Sequence, residues 1–290
     1  MDINTPKEIY HGIRDDSFKR LIVDLLKRGN LRDKYIDVLT DKSSMELYNQ
    51  AFTAPSADPE NNYEIFEQLG DLSINKFIVW YSYRRFPQLN CPAGVKVVAR
   101  LRINYGSRES FFKIADELDF WEYISADEED RMRKKKDMLE DCFESFIGCT
   151  EFILDNRFRL GVGYAIVYDI LASIFDEKPM SLKYDQLYDE KTRLKELFDV
   201  YKDRLGSWTF MDTRDDILAV STVYRIPPGG TTSNKGITYD KIPRDWVKLG
   251  TGRAAKKADA QRKAADEGLK LLNQQGWVKE IPEEYKFFCN

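Results

Sequence analysis

Two pairs of carboxylates have the spacing needed to act together. Glu67 and Asp71 are four residues apart with Glu64 one turn earlier, and Asp141 and Glu144 are three apart. On a helix, residues three or four apart share a face. The flanking Phe66, Leu69, Leu72, Ile74 and Phe77 predict that the first helix is largely buried, and Met138, Leu139, Phe143, Phe146 and Ile147 predict the same of the second. Uncompensated carboxylates in such surroundings are costly. A hard divalent cation relieves that cost, and Mg2+ takes oxygen ligands while keeping waters for substrate phosphates. The chain also carries 49 Asp and Glu, so pairs at this spacing arise by chance on solvated faces. Spacing alone leaves both readings open.

Other chemistries are poorly supplied. His11 is the one histidine. A two-histidine metal site is therefore excluded, and a Ser-His-Asp arrangement would need the N-terminal segment to fold back. The four cysteines, Cys91, Cys142, Cys149 and Cys289, form no C-x-x-C pair. Cys142 and Cys149 lie seven apart on an apolar helical pattern and are expected to be buried free thiols. Chemistry is left to carboxylates, lysines and hydroxyls.

The elements that position these groups change character along the chain. Apolar residues recur at helical spacing over 18–27, 63–85, 95–105, 107–118, 126–158 and 161–175. Residues 51–62 form a loop rich in Pro, Asp and Asn, and no strand-like alternation precedes residue 178. After a linker over 178–188, residues 189–201 read as a helix. Residues 208–212, 217–226 and 246–250 read as strands, and 254–273 as a helix rich in Ala and Lys. With 290 residues and 42% hydrophobic content, the chain suffices for two modest domains.

The net charge is −4. This argues against a uniformly basic nucleic-acid binder and moves attention to local charge. Lys248, Arg253, Lys256, Lys257, Arg262 and Lys263 cluster with Asp259 among them. Arg131–Lys136 (RMRKKK) is a second basic run, expected mainly as a solvated face. No apolar run reaches the roughly 20 residues of a membrane span. The N-terminus lacks an apolar leader core and an Arg-rich amphipathic pattern. The expectation is a soluble, cytoplasmic protein with no membrane partner, a nuclear or organellar address staying open.

The acids sit in a recognisable frame. The segment EIFEQLGD (64–71) resembles the ribonuclease III signature E-R-L-E-F-L-G-D, and LEDCFESFIG (139–148) resembles the family's second box, L-A-D-x-x-E-A-x-I-G. Pro92–Gly94 through Arg100–Arg102 is similar to the intervening P-E-G-x-L-T-x-L-R segment, and Ile153–Asp155 to the segment after the second box. The resemblance covers about 18–175. It implies that Glu67, Asp71, Asp141 and Glu144 are the catalytic, metal-associated acids and that Glu64 serves substrate or interface contacts. The cofactor would be Mg2+, with Mn2+ able to substitute. The implied reaction is hydrolysis of double-stranded RNA to 5′-phosphate and 3′-hydroxyl ends. Gln68 replaces the signature phenylalanine, whose ring enters a socket on the partner subunit. Its loss removes an apolar anchor worth about 1.5–3 kcal/mol. A homodimer held by other apolar contacts is still expected.

The later segment also has a counterpart. DEKTRLKEL (189–197) resembles the first helix of double-stranded-RNA-binding domains, and LGTG (249–252) followed by Arg253, Lys256 and Lys257 resembles their G-x-G-x-S-K-K-x-A end. Such domains span about 16 base pairs of A-form duplex. Thr192, Lys195, Glu196, Arg253, Lys256, Lys257 and Arg262 are the RNA-binding residues this implies. The loop near 213–216 lacks the family's G-P-x-H, which predicts a reduced minor-groove contact. The insertion 227–239 is a candidate to compensate through Lys235.

The fold expected is thus an all-α ribonuclease III endonuclease domain (1–177), a linker (178–188), an α-β-β-β-α double-stranded-RNA-binding domain (189–275) and a C-terminal tail (276–290). The alternative is a catalytically silent family member that binds or scaffolds RNA. Retention of all four acids favours the enzyme.

Overall fold

The apolar periodicity of residues 18–27 becomes helix α1 (Asp16–Arg28), started by Asp15, whose carboxylate accepts from the Ser17 amide. The computed structural model describes residues 8–215, 217–230 and 241–288. Contacts divide the chain into two units, Met1–Met180 and Ser181–Asn290. In the first unit α1 is followed by α2 (Asp33–Leu39), α3 (Lys42–Ala51), α4 (Glu64–Arg85), α5 (Gly94–Tyr105), α6 (Arg108–Glu117), α7 (Glu128–Arg157) and α8 (Val162–Asp176). Asp41, Ser107 and Asp127 cap α3, α6 and α7 by accepting backbone N–H groups of the first turn. Two short strands, β1 (Ile9–Tyr10) and β2 (Ala126–Asp127), pair antiparallel. They correct the expectation of no strand before residue 178. Two-residue strands are too short to show alternation in a sequence.

Helix α7 is the unit's central element. Met138, Leu139, Cys142, Phe143, Phe146, Ile147 and Cys149 are all buried on it, so it is wrapped on most sides. It is not a continuous helix: Lys134 breaks it at φ −118, ψ 23. Helix α4 crosses α7 through a contact that only glycine permits. A Cβ on Gly70 would stand 1.8 Å from the Glu144 carbonyl oxygen, and one on Gly148 would stand 2.0 Å from the Phe66 carbonyl oxygen. The two backbones therefore touch. Glu67 and Asp71 flank Gly70, and Asp141 and Glu144 precede Gly148, so this crossing is what brings the two acid pairs to each other.

Helix α4 is only half buried, which corrects the sequence expectation. Phe66, Ile74 and Phe77 are in the core, but Leu69 and Leu72 are 37% and 69% exposed, beside Ile65 at 56%. Apolar identity predicts burial, yet it does not say whether the covering surface belongs to the same chain.

The second unit comprises α9 (Tyr184–Leu187), α10 (Glu190–Val200), α11 (Lys202–Leu205), β3 (Ser207–Asp215), β4 (Leu218–Ile226), β5 (Val247–Ala254), α12 (Lys257–Gln274) and α13 (Glu283–Phe288). The strands form one antiparallel sheet in the order β3-β4-β5. The β3–β4 register runs to Asp215 opposite Leu218, so the strand expected to end at 212 continues to 215. A bulge at Val223/Tyr224 shifts the β4–β5 register. The core joins Leu194, Leu197 and Phe198 of α10, Val223, Leu249, and Ala264, Ala265 and Leu272 of α12. The third strand runs to Ala254 and α12 starts only at Lys257, so the predicted boundaries of 250 and 254 are both too early. Gly250 and Gly252 explain why. A Cβ on either would meet α12 backbone, at 2.5 Å from Ala264 O and 2.0 Å from Ala260 O. The glycines serve close strand-to-helix packing and remain inside the strand. The segment expected as a linker carries α9, with Tyr184 and Leu187 buried.

Candidate active site

Two acids of α4, Glu67 and Asp71, and two of α7, Asp141 and Glu144, lie at the α4–α7 crossing. Glu144 is 7% exposed. Glu67, Asp71 and Asp141 are intermediate, and Glu64 is exposed. The Tyr63 hydroxyl donates to Asp141 Oδ2 at 2.9 Å, and Asn75 Nδ2 donates to Asp71 Oδ1 at 2.6 Å. The buried Asn62 accepts from the Glu64 amide at 3.0 Å and so starts α4 at the right residue.

These carboxylates share one electrostatic field. Burial, then the charges of Asp141, Glu64, Glu140 and Asp71, push Glu67 up to about 7. Burial, then Asp71, Glu140, Glu67 and Asp141, push Glu144 up to about 9. Asp141 is also raised by burial, against the lowering effects of the Tyr63 hydrogen bond and the Arg108 charge. Glu67 and Glu144 are thus each destabilised as anions by acids on both helices. This is the situation a cation relieves.

The donor set is all oxygen, which fits a hard divalent ion. Among the described residues no three His, Cys, Asp or Glu side chains are grouped as a ready-made ion cage. Mg2+ does not require one, since it is commonly bound through one or two carboxylates with waters and substrate phosphates completing its shell. The residues therefore fit the ion in chemistry and leave its remaining positions to water and phosphate.

Three residues at this site escaped the sequence reading. Tyr63 precedes the signature by one position. Glu140 stands where the second box has alanine, a visible signal. Arg108 lies far away in sequence, but its guanidinium is ion-paired with Glu140 and, at 2.8 Å, with Asp137.

Several other candidates land elsewhere. His11 is exposed near the start of the described chain. Cys142 and Cys149 are buried free thiols, whereas Cys91 is intermediate, and Cys289 lies outside the described residues. Gln68 is exposed on α4. The run Arg131–Lys136 is not a free basic patch. Arg131 is 8% exposed, donates to the Ile124 and Trp121 carbonyls, and stacks on Tyr10 and Trp121. Arg133, Lys134, Lys135 and Lys136 pair with Glu129, Asp130, Asp116 and Glu109.

In the second unit the basic residues meet acids of their own. Lys256 is exposed and occupies the N-cap of α12. Lys257 pairs with Asp212 at 2.8 Å, Arg253 with Asp215 at 3.7 Å and Arg262 with Asp259 at 3.9 Å. On α10, Thr192 gives its amide to the Asp189 cap, and Lys195 is exposed. Glu196 is engaged: its Oε2 accepts from Lys279 at 2.6 Å and from the Tyr184 hydroxyl. Lys235 lies outside the described residues.

A mostly helical unit carrying paired acids on two crossed helices is the build of a nuclease-like fold. The family model described as the Ribonuclease III domain matches residues 64–152, the span from the first acid pair past the second. A chain named "Putative ribonuclease 3" from Invertebrate iridescent virus 6 is 40% identical over 98% of this chain and 97% of its own length. Another chain of that name, from Frog virus 3, is 37% identical over 88% of this chain and 63% of its own. Ribonuclease 3 of Limosilactobacillus fermentum is 30% identical over 78% of this chain and 89% of its own. The chain belongs to the ribonuclease III family, a class of hydrolases.

Proposed function

We propose that the chain is an endoribonuclease that cleaves double-stranded RNA, with the acids of α4 and α7 as its catalytic centre. The observation that carries the reading is the backbone-close α4–α7 crossing at Gly70 and Gly148, which sets Glu67 and Asp71 beside Asp141 and Glu144 so that acids of both helices raise the affinity of Glu67 and Glu144 for positive charge. These residues would hold one or two Mg2+ ions, whose chemistry there is to polarise the phosphate and to acidify the attacking water. Tyr63 fixes the Asp141 carboxylate by its hydrogen bond. The Gly70–Gly148 contact fixes the spacing of the two pairs. Hydrolysis in this arrangement leaves 5′-phosphate and 3′-hydroxyl ends.

The second unit is the duplex-binding module in this reading. Its helix, three antiparallel strands and helix follow the order of a double-stranded-RNA-binding domain. Lys256 and Lys257 at the start of α12 and Arg253 near the end of β5 supply charge for the RNA backbone. The segment joining β3 to β4 lacks the G-P-x-H of such domains, so grip falls on α10 and on the start of α12.

Exposed apolar side chains on the first unit support a homodimer. Leu69, Leu72, Phe152, Leu160 and Tyr164 line a cavity of about 550 Å³. Leu160 is 87% exposed. A second copy presenting the same face would cover them, which offsets the apolar anchor lost at Gln68.

One pair of variants tests the function. Glu144→Gln removes a charge that the centre needs and should abolish cleavage of a long duplex in Mg2+ while leaving its binding unchanged. Alanine at Lys256 and Lys257 should weaken binding and flatten its salt dependence, by a slope of about 0.9 per phosphate contact on the B-form DNA scale. Cleavage by Glu144→Gln at the parental rate removes the site assignment. A parent chain that binds duplex but never cuts it establishes the silent reading instead.

A further inference from the structure

Arg108 opens α6 immediately after its cap Ser107. Two acids of α7 hold its guanidinium: Nη1 donates to Asp137 Oδ1 at 2.8 Å, and Nε is ion-paired with Glu140 Oε2. The pair is asymmetric. The Glu140 side chain is 13% exposed and the Arg108 side chain 59%, so the acid is sunk into the protein and the base stands open.

Glu140 is a departure from the family frame, whose second box has alanine at this position. It lies next to Asp141 and its charge reaches both Glu67 and Glu144. A further acid among carboxylates that already repel one another is a cost that alanine avoids. The cost is intelligible if Glu140 serves Arg108. With Asp137 it pins a guanidinium at the rim of the acid centre. Duplex RNA approaching that centre brings phosphates toward a net negative surface, and a fixed cation at the rim offsets the repulsion. A guanidinium also offers paired donors that match a phosphate's oxygens, which an ammonium does not.

We propose that Arg108 is a substrate-positioning residue, held by Glu140 and Asp137 to grip a backbone phosphate of the duplex beside the one that is cut. The proposal rests on the ribonuclease reading of the four acids and adds to it a contact that the family motifs do not supply.

The test uses the full chain and two readouts. Binding of a long RNA duplex is measured in the Glu144→Gln background over a salt series, and KM and kcat are measured in the cleaving protein with Mg2+. Arg108→Ala should weaken binding and raise KM by about tenfold, the effect of one charge-assisted contact. It should also lower the slope of log affinity against log salt by about 0.9, as for one phosphate. Arg108→Lys should restore the slope but only part of the KM. Glu140→Ala, which frees the guanidinium, should raise KM by less, and should add little when Arg108 is already alanine. Thermal melting accompanies each variant. A lowered melting temperature with unchanged KM, affinity and slope makes the pair a structural brace and overturns the proposal. A fall in kcat alone, equal in both single variants, means that the pair acts through the acids and also overturns it. If Glu144→Gln is inactive while Arg108→Ala matches its parent in every readout, this inference fails and the function stands. If Glu144→Gln still cleaves, the function itself falls.

Discussion

The closest approach in the first unit predicts the largest effect of a single methyl group. In Gly70→Ala the new Cβ would lie 1.8 Å from the Glu144 carbonyl oxygen, 2.5 Å from its carbonyl carbon and 3.1 Å from its Cα. Real Cβ contacts essentially never fall below 3.0 Å, and the obstacle is backbone in the middle of α7. No side chain can rotate away. Helix α4 must move from α7 by more than an ångström, or tilt by an equivalent amount. Overpacking of this kind costs about 1–3 kcal/mol or more, which in a unit of this size lowers the melting temperature by several degrees, at about 2–4 °C per kcal/mol. The effect on chemistry should be larger. The same movement carries Glu67 and Asp71 away from Asp141 and Glu144, and a misplacement of about 1 Å costs on the order of a hundredfold in rate. The assay pairs a thermal melt with duplex cleavage in Mg2+, with duplex binding as the control, since the unit proposed to bind the duplex is untouched. The expected pattern is a moderate loss of stability, retained binding and cleavage down by two orders of magnitude. A variant that melts and cleaves like its parent refutes the reasoning, because it would mean that the helices do not meet backbone to backbone.

Two further predictions follow from charge and exposure. Glu67 and Glu144 have native values raised from 4.5 to about 7 and about 9, so between these limits the folded chain holds protons that the unfolded chain has released. Their contribution to stability is fully present below about pH 4.5 and is lost as pH rises through about 7 and then about 9. Mg2+ must displace those protons, so its stabilising effect in a melt should be larger near pH 8.5 than near about pH 5.5. An ion effect that is equal at both ends would sever the link between the acids and the metal. Leu72, 69% exposed, should lie in the homodimer contact, where each copy counts and burial is worth about 1.5–3 kcal/mol per side chain. Leu72→Asp should convert a dimer at micromolar concentration to a monomer by sedimentation, and a monomeric parent would show that the exposed apolar face has another use.

The acids were legible in the sequence because helical periodicity converts spacing into shared faces: positions 67 and 71, like 141 and 144, could not avoid pairing once α4 and α7 formed. The helical character of the first unit and the strand character of residues 217–226 followed from local pattern in the same way. Aspartates at positions 15, 41, 127 and 189 cap helix starts in the structure, a local signal that the sequence reading did not use. What local pattern could not supply was the other side of each contact. Leu69 and Leu72 look like core residues in sequence and stand in the open, because burial depends on what comes to cover a side chain. The run at 131–136 looks like a basic patch, yet Arg131 is spent on Tyr10 and Trp121 and Lys135 and Lys136 on acids of α6, partners that lie on separate segments. Glu196 matches an RNA-contact position, yet Lys279 and Tyr184 hold its carboxylate.

The sequence by itself determined which acids share a helix face and which helices bear them, since both are set by interactions within a few residues of the chain. Only the tertiary structure decided that the two acid pairs meet, that a glycine on each helix makes the meeting possible, and that Arg108 stands at their rim. Those facts join residues more than thirty positions apart, and they arise from packing, where the shape of one helix is fixed by the absence of a side chain on another.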